Sequence, residues 1–215
     1  MKVHPGYDWF TTPAWLRRFG PMRAVSASLL DRAGLHYFTI YAALNGVMMG
    51  VFNLGNVVLK KTLNADELAI GVISALSVVA LLFGIFGSEL VVGRDKRPFI
   101  FWLGLLSRGS LVLFFFCRDV TSFIVVSGLF YFLNALLMPA VFSMWQANVS
   151  AVARSRLWGL TVTAATLISM AATYVASRVL DHDPWSYTWL LPAGGVVAVL
   201  SILILAQSPL RGKYK

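Results

Sequence analysis

Charged positions along this chain fall in a few short bursts, with long apolar runs between them. A helix rising about 1.5 Å per residue needs about 20 mostly apolar residues to cross roughly 30 Å of hydrocarbon. Six stretches meet that requirement, near residues 36–59, 68–92, 98–117, 121–148, 157–180 and 187–207. The third is the shortest. The fourth exceeds the required length, and Pro139 within it predicts a kink at which neighbouring groups satisfy the freed carbonyl. Pro192 predicts a similar adjustment near the start of the last span. The pattern therefore predicts an all-α, polytopic membrane protein with six transmembrane helices and no soluble core.

Composition agrees with the pattern. Of 215 residues, 58% are hydrophobic and 13% charged, with a mean hydropathy of +0.74, far from the balance of a soluble domain. The formal charge of +9 does not point to nucleic acid, because the cations lie between apolar segments rather than on one solvated face. Lipid headgroups are the partner that this arrangement fits. Cys117 is the only cysteine, which excludes an intrachain disulfide and a thiolate cluster. His4, His36 and His182 have no ligand spacing, so neither a metal nor another cofactor is expected. No phosphate loop, triad or paired-carboxylate motif is present, and the chain reads as a protein that is not an enzyme. Arg17, Arg18 and Arg23 interrupt the first 30 residues, which lack the continuous apolar core of a signal peptide.

Orientation follows from Lys and Arg in the connecting segments. Lys2, Arg17, Arg18, Arg23 and Arg32 precede the first span, Arg94, Lys96 and Arg97 follow the second, Arg154 and Arg156 follow the fourth, and Arg211, Lys213 and Lys215 follow the sixth. The opposite side holds only Lys60, Lys61, Arg118 and Arg178, together with Asp66, Glu67, Asp119, Asp181 and Asp183. Both termini are expected in the cytoplasm, with the whole in a bacterial inner membrane. Residues 1–35 read as a tail, 36–208 as the six-helix domain and 209–215 as a basic tail. In the first tail, Thr12 as cap, Pro13 at the first helical position, and Trp15, Leu16 and Phe19 beside Arg17 and Arg18 predict an interfacial helix. Ser26 to Gly34 reads as a second short stretch of that kind.

The burst SELVVGRDKRPFIFW, residues 88–102, reads as a tight turn whose cations hold the second and third helices at the headgroups. Gly93, Arg94, Asp95, Lys96 and Arg97 form its centre. After the fourth span, QANVSAVARSRLWGL carries Asn148, the pair Arg154 and Arg156, and Gly159 opening the fifth helix. Over residues 36 to 208, these loops and the six-span layout resemble the N-terminal half of a major facilitator superfamily transporter, with Val91 standing where the family's second-loop glycine would be. The resemblance implies two three-helix units of inverted topology, and a second half around a central cavity. It implies as partner a second half-transporter, a homodimer or other membrane subunits, and movement of a small solute by alternating access. The alternative is a non-transporting accessory subunit docked on a larger membrane complex. Val91 and the scarcity of titratable residues deep in the spans, which leaves proton coupling to Glu89 alone, favour that alternative.

Ionisable groups inside a membrane are functional candidates by default. Arg108 lies about ten residues into the third span, roughly 15 Å deep and near the midplane. Glu89 lies towards one end of the second, where a long Arg side chain is expected to lean towards it as a structural ion pair. The functional reading has Arg108 binding an anionic substrate group, or Glu89 carrying a coupling proton. Asn45, Asn53 and Asn56 fall near one face of the first helix, which the resemblance implies lines the cavity; interhelical hydrogen bonds explain them as well. Asn134 and Gln146 are similar candidates in the fourth span. Gly46 and Gly50, with Ala164, Ala165, Ala172 and Ala176, read as packing surfaces, and Phe114, Phe115, Phe116, Trp185 and Trp189 as interfacial anchors.

The charge asymmetry yields a direct test with a membrane-impermeant thiol reagent. Cysteines introduced by Val3→Cys and Gly212→Cys are expected to resist labelling in intact cells and to react after permeabilisation, whereas Glu67→Cys reacts in intact cells.

Overall fold

In a bilayer every backbone N–H and C=O needs a partner within the protein, which leaves the helix as the local solution for long apolar runs. The computed structural model describes residues 29–92, 95–149 and 151–208, the side chains of 29–34, 151–153 and 156 excepted. The expected interfacial helix around Thr12 and Phe19, Gly93 and the basic tail 209–215 lie outside the described residues. Among the described residues there is no strand. The helices are α1 (Leu29–Phe52), α2 (Gly55–Lys61), α3 (Glu67–Leu82), α4 (Gly84–Val91), α5 (Lys96–Gly109), α6 (Val120–Asn148), α7 (Ala151–His182) and α8 (Tyr187–Ala206). A 3-10 segment, Ser110–Phe116, prolongs α5, and another, Pro184–Ser186, leads into α8. They make up six segments long and apolar enough to cross a membrane: Leu35–Lys61, Glu67–Val91, Lys96–Phe116, Val120–Asn148, Leu157–His182 and Pro184–Ala206. The protein is a multi-pass, all-helical membrane protein.

These bounds match the hydropathy reading to within a few residues, because length and apolarity are local properties. Breaks inside the spans were not anticipated. The first span is interrupted at Asn53 and Leu54, the second at Phe83, and the third tightens into its 3-10 segment, where Ser110 Oγ donates to Ser107 O at 2.7 Å. Side-chain bonds of this kind compete with the helical ladder. Residues 29–34 belong to a helix continuous with the first span, so the Ser26–Gly34 stretch does not form a separate interfacial element. Helix α6 continues through Pro139.

Aspartates start the later helices. Asp66 accepts from Ala69 N at 2.9 Å, Asp95 from Arg97 N at 3.0 Å and Asp119 from Ser122 N at 2.8 Å. Each carboxylate satisfies one of the free donors of a first turn. The Ser122 backbone and hydroxyl hold the Asp119 carboxyl below the usual carboxylate range. Its folded value being depressed, this cap contributes at neutral pH and is lost as pH falls through that lowered value.

Helix α1 packs along α7 and α8; α6 packs against α3, α4 and α5; α8 lies along α5 and its 3-10 extension. Lipid tails are as apolar as leucine, so close van der Waals fit and interhelical hydrogen bonds hold such a bundle together. The tightest approaches are at glycine. A Cβ placed on Gly46 would stand 2.6 Å from Ala165 O, and one on Gly50 would overlap Ser169 O and Ala172. Thr173 Oγ1 then donates to Gly50 O at 2.8 Å across the same seam. Gly87 meets Leu136 of α6 in the same way, at 2.5 Å from its carbonyl oxygen. Of the alanines expected to pack, Ala165, Ala172 and Ala176 lie on the α1 side, whereas Ala164 is exposed.

Two apolar clusters fill the interior, one around Phe52, Phe114, Phe123 and Phe130, the other around Phe38, Ile100, Leu137 and Trp145. Phe114 is a core residue rather than an interfacial anchor: it is fully buried, its ring 4.7 Å from that of Phe123. Phe114 continues the buried face of Ile100, Gly104, Ser107 and Leu111 at helical spacing, leaving Phe115 and Phe116 outside with Trp185 and Trp189. Cys117 is buried beside this cluster, and burial pushes its thiol above the ordinary range. The second and fifth spans are the least covered, presenting Leu81, Ile85, Leu167 and Met170 outward.

Because the glycine seam leaves no room for a side chain, Gly46→Ala and Gly50→Ala are each expected to cost about 1–3 kcal/mol. Gly71→Ala, where an added Cβ meets nothing within 4 Å, serves as the neutral control. Denaturant unfolding in detergent micelles measures all three.

Candidate functional site

The last turn of α5 carries Arg108 into the interior of the bundle, where it is 1% exposed. Its guanidinium carbon lies 5.5 Å from the centroid of the Phe130 ring on α6, a cation–π contact. Its Nε and Nη1 have no hydrogen-bond partner. Tyr41 of α1 is the titratable group that acts on it: its buried hydroxyl lies close enough to favour the charged guanidinium, although no hydrogen bond of good geometry joins the two. One turn further along α1, Asn45 Oδ1 is likewise buried outside any hydrogen bond, as is Ser107 Oγ beside Arg108. Buried polar atoms are nearly always hydrogen-bonded, and a buried charge with no opposite charge costs several kcal/mol. Arg108, Tyr41, Ser107 and Asn45 thus set donors and acceptors in the bundle interior outside any hydrogen bond of good geometry.

The expected ion pair with Glu89 is not formed. Glu89 is exposed on α4, which packs against α6 and α3, whereas Arg108 points inward between α1 and α6. The one ion pair among the described residues, Lys61 to Asp181 at 3.6 Å, is well exposed at its membrane-flanking position, where such pairs contribute little.

The three asparagines of the first span do not share one environment. Asn45 lies within α1, but the helix breaks at Asn53, and α2 carries Asn56 onward. Asn53 and Asn56, both exposed, line a pocket of about 100 Å³ with Ser127 and Tyr131 of α6. Asn134 borders a neighbouring pocket of about 180 Å³ with Ser77 of α3 and Tyr131, and its Oδ1 is buried without a partner. Tyr131 lines both pockets. Gln146 is exposed, contributing only its backbone carbonyl to the contacts below.

The residues singled out in the second and fourth loops form a separate assembly at the basic end of the bundle. Lys96 Nζ donates to Ser143 Oγ of α6 at 2.6 Å, and Arg97 Nη2 to Ser208 O, just beyond α8, at 3.0 Å. Asn148 Nδ2 donates to Ser208 Oγ at 3.1 Å. Arg154 Nη2 closes the turn between α6 and α7, donating to Gln146 O at 3.0 Å and Val149 O at 3.3 Å. Asp95 is the cap of α5. The side chain of Arg156 lies outside the described residues. Gly159 stands within α7 rather than at its start, with open space around it.

Sequence reasoning missed Tyr41, Ser107, Tyr131 and Ser208. Tyr41 stands one helical turn before Asn45 and so follows from it once helical geometry is applied, whereas Ser107, adjacent to Arg108, points about 100° away along the helix and does not. Tyr131 and Ser208 carry no local signal. Comparison with family models, with curated proteins and with solved structures gives no match.

Since Ser208 is fully buried, Asn148→Ala leaves its hydroxyl without that donor and is expected to destabilise by about 1–3 kcal/mol. Combining it with Ser208→Ala should cost less than the sum of the single changes, as for any pair in contact. Unfolding midpoints of the three variants in detergent measure the coupling.

Proposed function

We propose that this six-span unit is one half of an alternating-access transporter of the major facilitator type, moving a small solute across the membrane together with a second half. Its termini face the cytoplasm, following the charge asymmetry of its loops. The observation that carries the reading is the number of buried polar atoms without a hydrogen bond inside the spans, at Arg108, Ser107, Tyr41 and Asn45 and, beside a separate pocket, at Asn134. A subunit that only filled space would have no use for such groups in the hydrocarbon, where each lacks compensation.

The packing order supports the same reading. Exchanging spans one, two and three for four, five and six maps the observed neighbours onto themselves: one with five becomes four with two, one with six becomes four with three, and three with six is unchanged. The glycine contacts follow suit, Gly46 and Gly50 against the fifth span answering Gly87 against the fourth. This is the order expected of a 3+3 inverted repeat. Asn53, Asn56 and Asn134 lie on or beside the open face between spans one, two and four. The pockets there, of about 100 and 180 Å³, are smaller than the roughly 300–1,000 Å³ of a small-molecule site. One half contributes a wall, and the opposing half the remainder.

The accessory-subunit reading keeps one observation in its favour. Lys96, Arg97 and Arg154 all bond inward to Ser143, Ser208 and the α6–α7 turn, as a rigid structural element would.

Uptake decides between them. The protein is purified in mild detergent with whatever membrane chain accompanies it, and reconstituted into liposomes for transport measurements on pooled metabolites. Asn53→Ala and Asn134→Ala are expected to lower uptake roughly tenfold each with unchanged yield. Uptake absent from the wild type and all variants, in a chain migrating with a fixed set of subunits, would overturn the transport reading.

A further inference from the structure

Arg108 remains charged at any physiological pH, and no carboxylate among the described residues approaches it. The described acidic side chains are all at the surface: Asp66, Glu67 and Glu89 around the second span, Asp95 at the start of the third, Asp119 at the start of the fourth, and Asp181 and Asp183 between the fifth and sixth. Around the guanidinium stand Tyr41 and Phe130, with Asn45 one turn along α1 from Tyr41. Phe130 offers a ring face to the positive charge but accepts none of its N–H groups. The site therefore carries a net charge of one sign, unfilled N–H donors at Nε and Nη1 and the Tyr41 hydroxyl, with the free acceptor Asn45 Oδ1 one turn away.

We propose that Arg108 anchors the solute itself, and that the solute is a small oxyanion, a carboxylate or phosphate, which also carries a hydrogen-bond donor. The guanidinium and the Tyr41 hydroxyl take the oxyanion, and Asn45 Oδ1 accepts from the solute's donor group. A guanidinium is suited to this role because it is planar, permanently charged and less strongly hydrated than an ammonium. In the conformation described here the group is closed off by α1 and α6, and entry requires α1 to shift against α6 within this unit. The inference rests on the transport reading, whose solute it specifies.

Two properties of Arg108 separate an anchor from a structural residue. An anchor waiting for its anion is an uncompensated buried charge, so Arg108→Met, which keeps the side chain's length and removes the charge, is expected to raise the melting temperature of the purified chain in oxyanion-free buffer. A structural cation over Phe130 gives the opposite sign. Sodium lactate and sodium phosphate serve as probes, with glycerol as the uncharged control and sodium chloride for ionic strength. At saturation, at least one oxyanion is expected to raise the wild-type melting temperature by roughly 2–5 °C beyond the chloride control. Glycerol has no such effect, Arg108→Met loses the shift, and Arg108→Lys retains part of it. A wild type indifferent to both oxyanions, a shift unchanged in Arg108→Met, or an Arg108→Met protein less stable than wild type would each overturn the proposal. An oxyanion shift lost in Arg108→Met alongside absent uptake supports the binding site and defeats only the transport reading. Uptake of uncharged solutes that persists in Arg108→Met defeats only the oxyanion assignment.

Discussion

Lipid tails solvate apolar side chains as well as a protein core does, so nothing pushes these helices together except how closely their surfaces fit. The fold therefore depends on the seam between the first and fifth spans, where Gly46 and Gly50 let two backbones approach to van der Waals distance. Thr173 adds a hydrogen bond to Gly50 O where the fit is tightest. Once this seam is closed, α1 is fixed in rotation, and with it the direction in which Tyr41 and Asn45 project. The Gly87 contact with Leu136 sets the second span against the fourth in the corresponding way. Polar residues at the midplane can then be placed accurately by helices that have no polar partners of their own.

The two ends of the bundle are held differently. At the basic end, Lys96, Arg97, Asn148 and Arg154 make side-chain bonds among the third, fourth and sixth spans and the turn into the fifth. At the other end aromatic packing dominates, with Phe52, Phe114, Phe123 and Tyr187 in one cluster and Tyr187 OH donating to Cys117 O at 2.9 Å. Hydrogen bonds to charged donors are directional and can be exchanged for others, whereas an interlocked aromatic cluster must unpack as a body. Arg108 lies between these two regions, beside Phe130 of the aromatic cluster.

The apolar outer faces of the second and fifth spans and the small polar pockets between the first, second and fourth spans divide the surface by chemistry. Leucine, isoleucine and methionine on the former are at ease against acyl chains. Asn53 and Asn56 are not, since an exposed amide at membrane depth loses its water without gaining a partner. Under the transport reading proposed above, a second wall of protein over that face would remove the penalty and complete a cavity.

How much of this was legible beforehand varies by residue. Six runs of about 20 apolar residues specify six spans, because hydrogen bonding forces each run to be helical whatever surrounds it. Asp66, Asp95 and Asp119 begin helices for reasons that lie within a few residues of chain. The depth of Arg108 followed from counting along one helix, but its partner did not: the pairing with Glu89 fitted the positions along the chain and failed on rotation, since α4 turns its carboxylate outward. Phe114 as an interfacial anchor fitted its place at the end of the span, but its helical spacing from Ile100, Gly104, Ser107 and Leu111 puts it on the buried face. Tyr131 joining two pockets and Ser208 bonding across 60 residues to Asn148 arise only when separate helices meet. The sequence by itself determined which six segments span the membrane and, to within a few residues, where the spans end, because both depend on local polarity and backbone hydrogen bonding. Tertiary structure alone decided which side chains meet at the midplane, because helix rotation is set by side-chain fit between segments far apart in the chain.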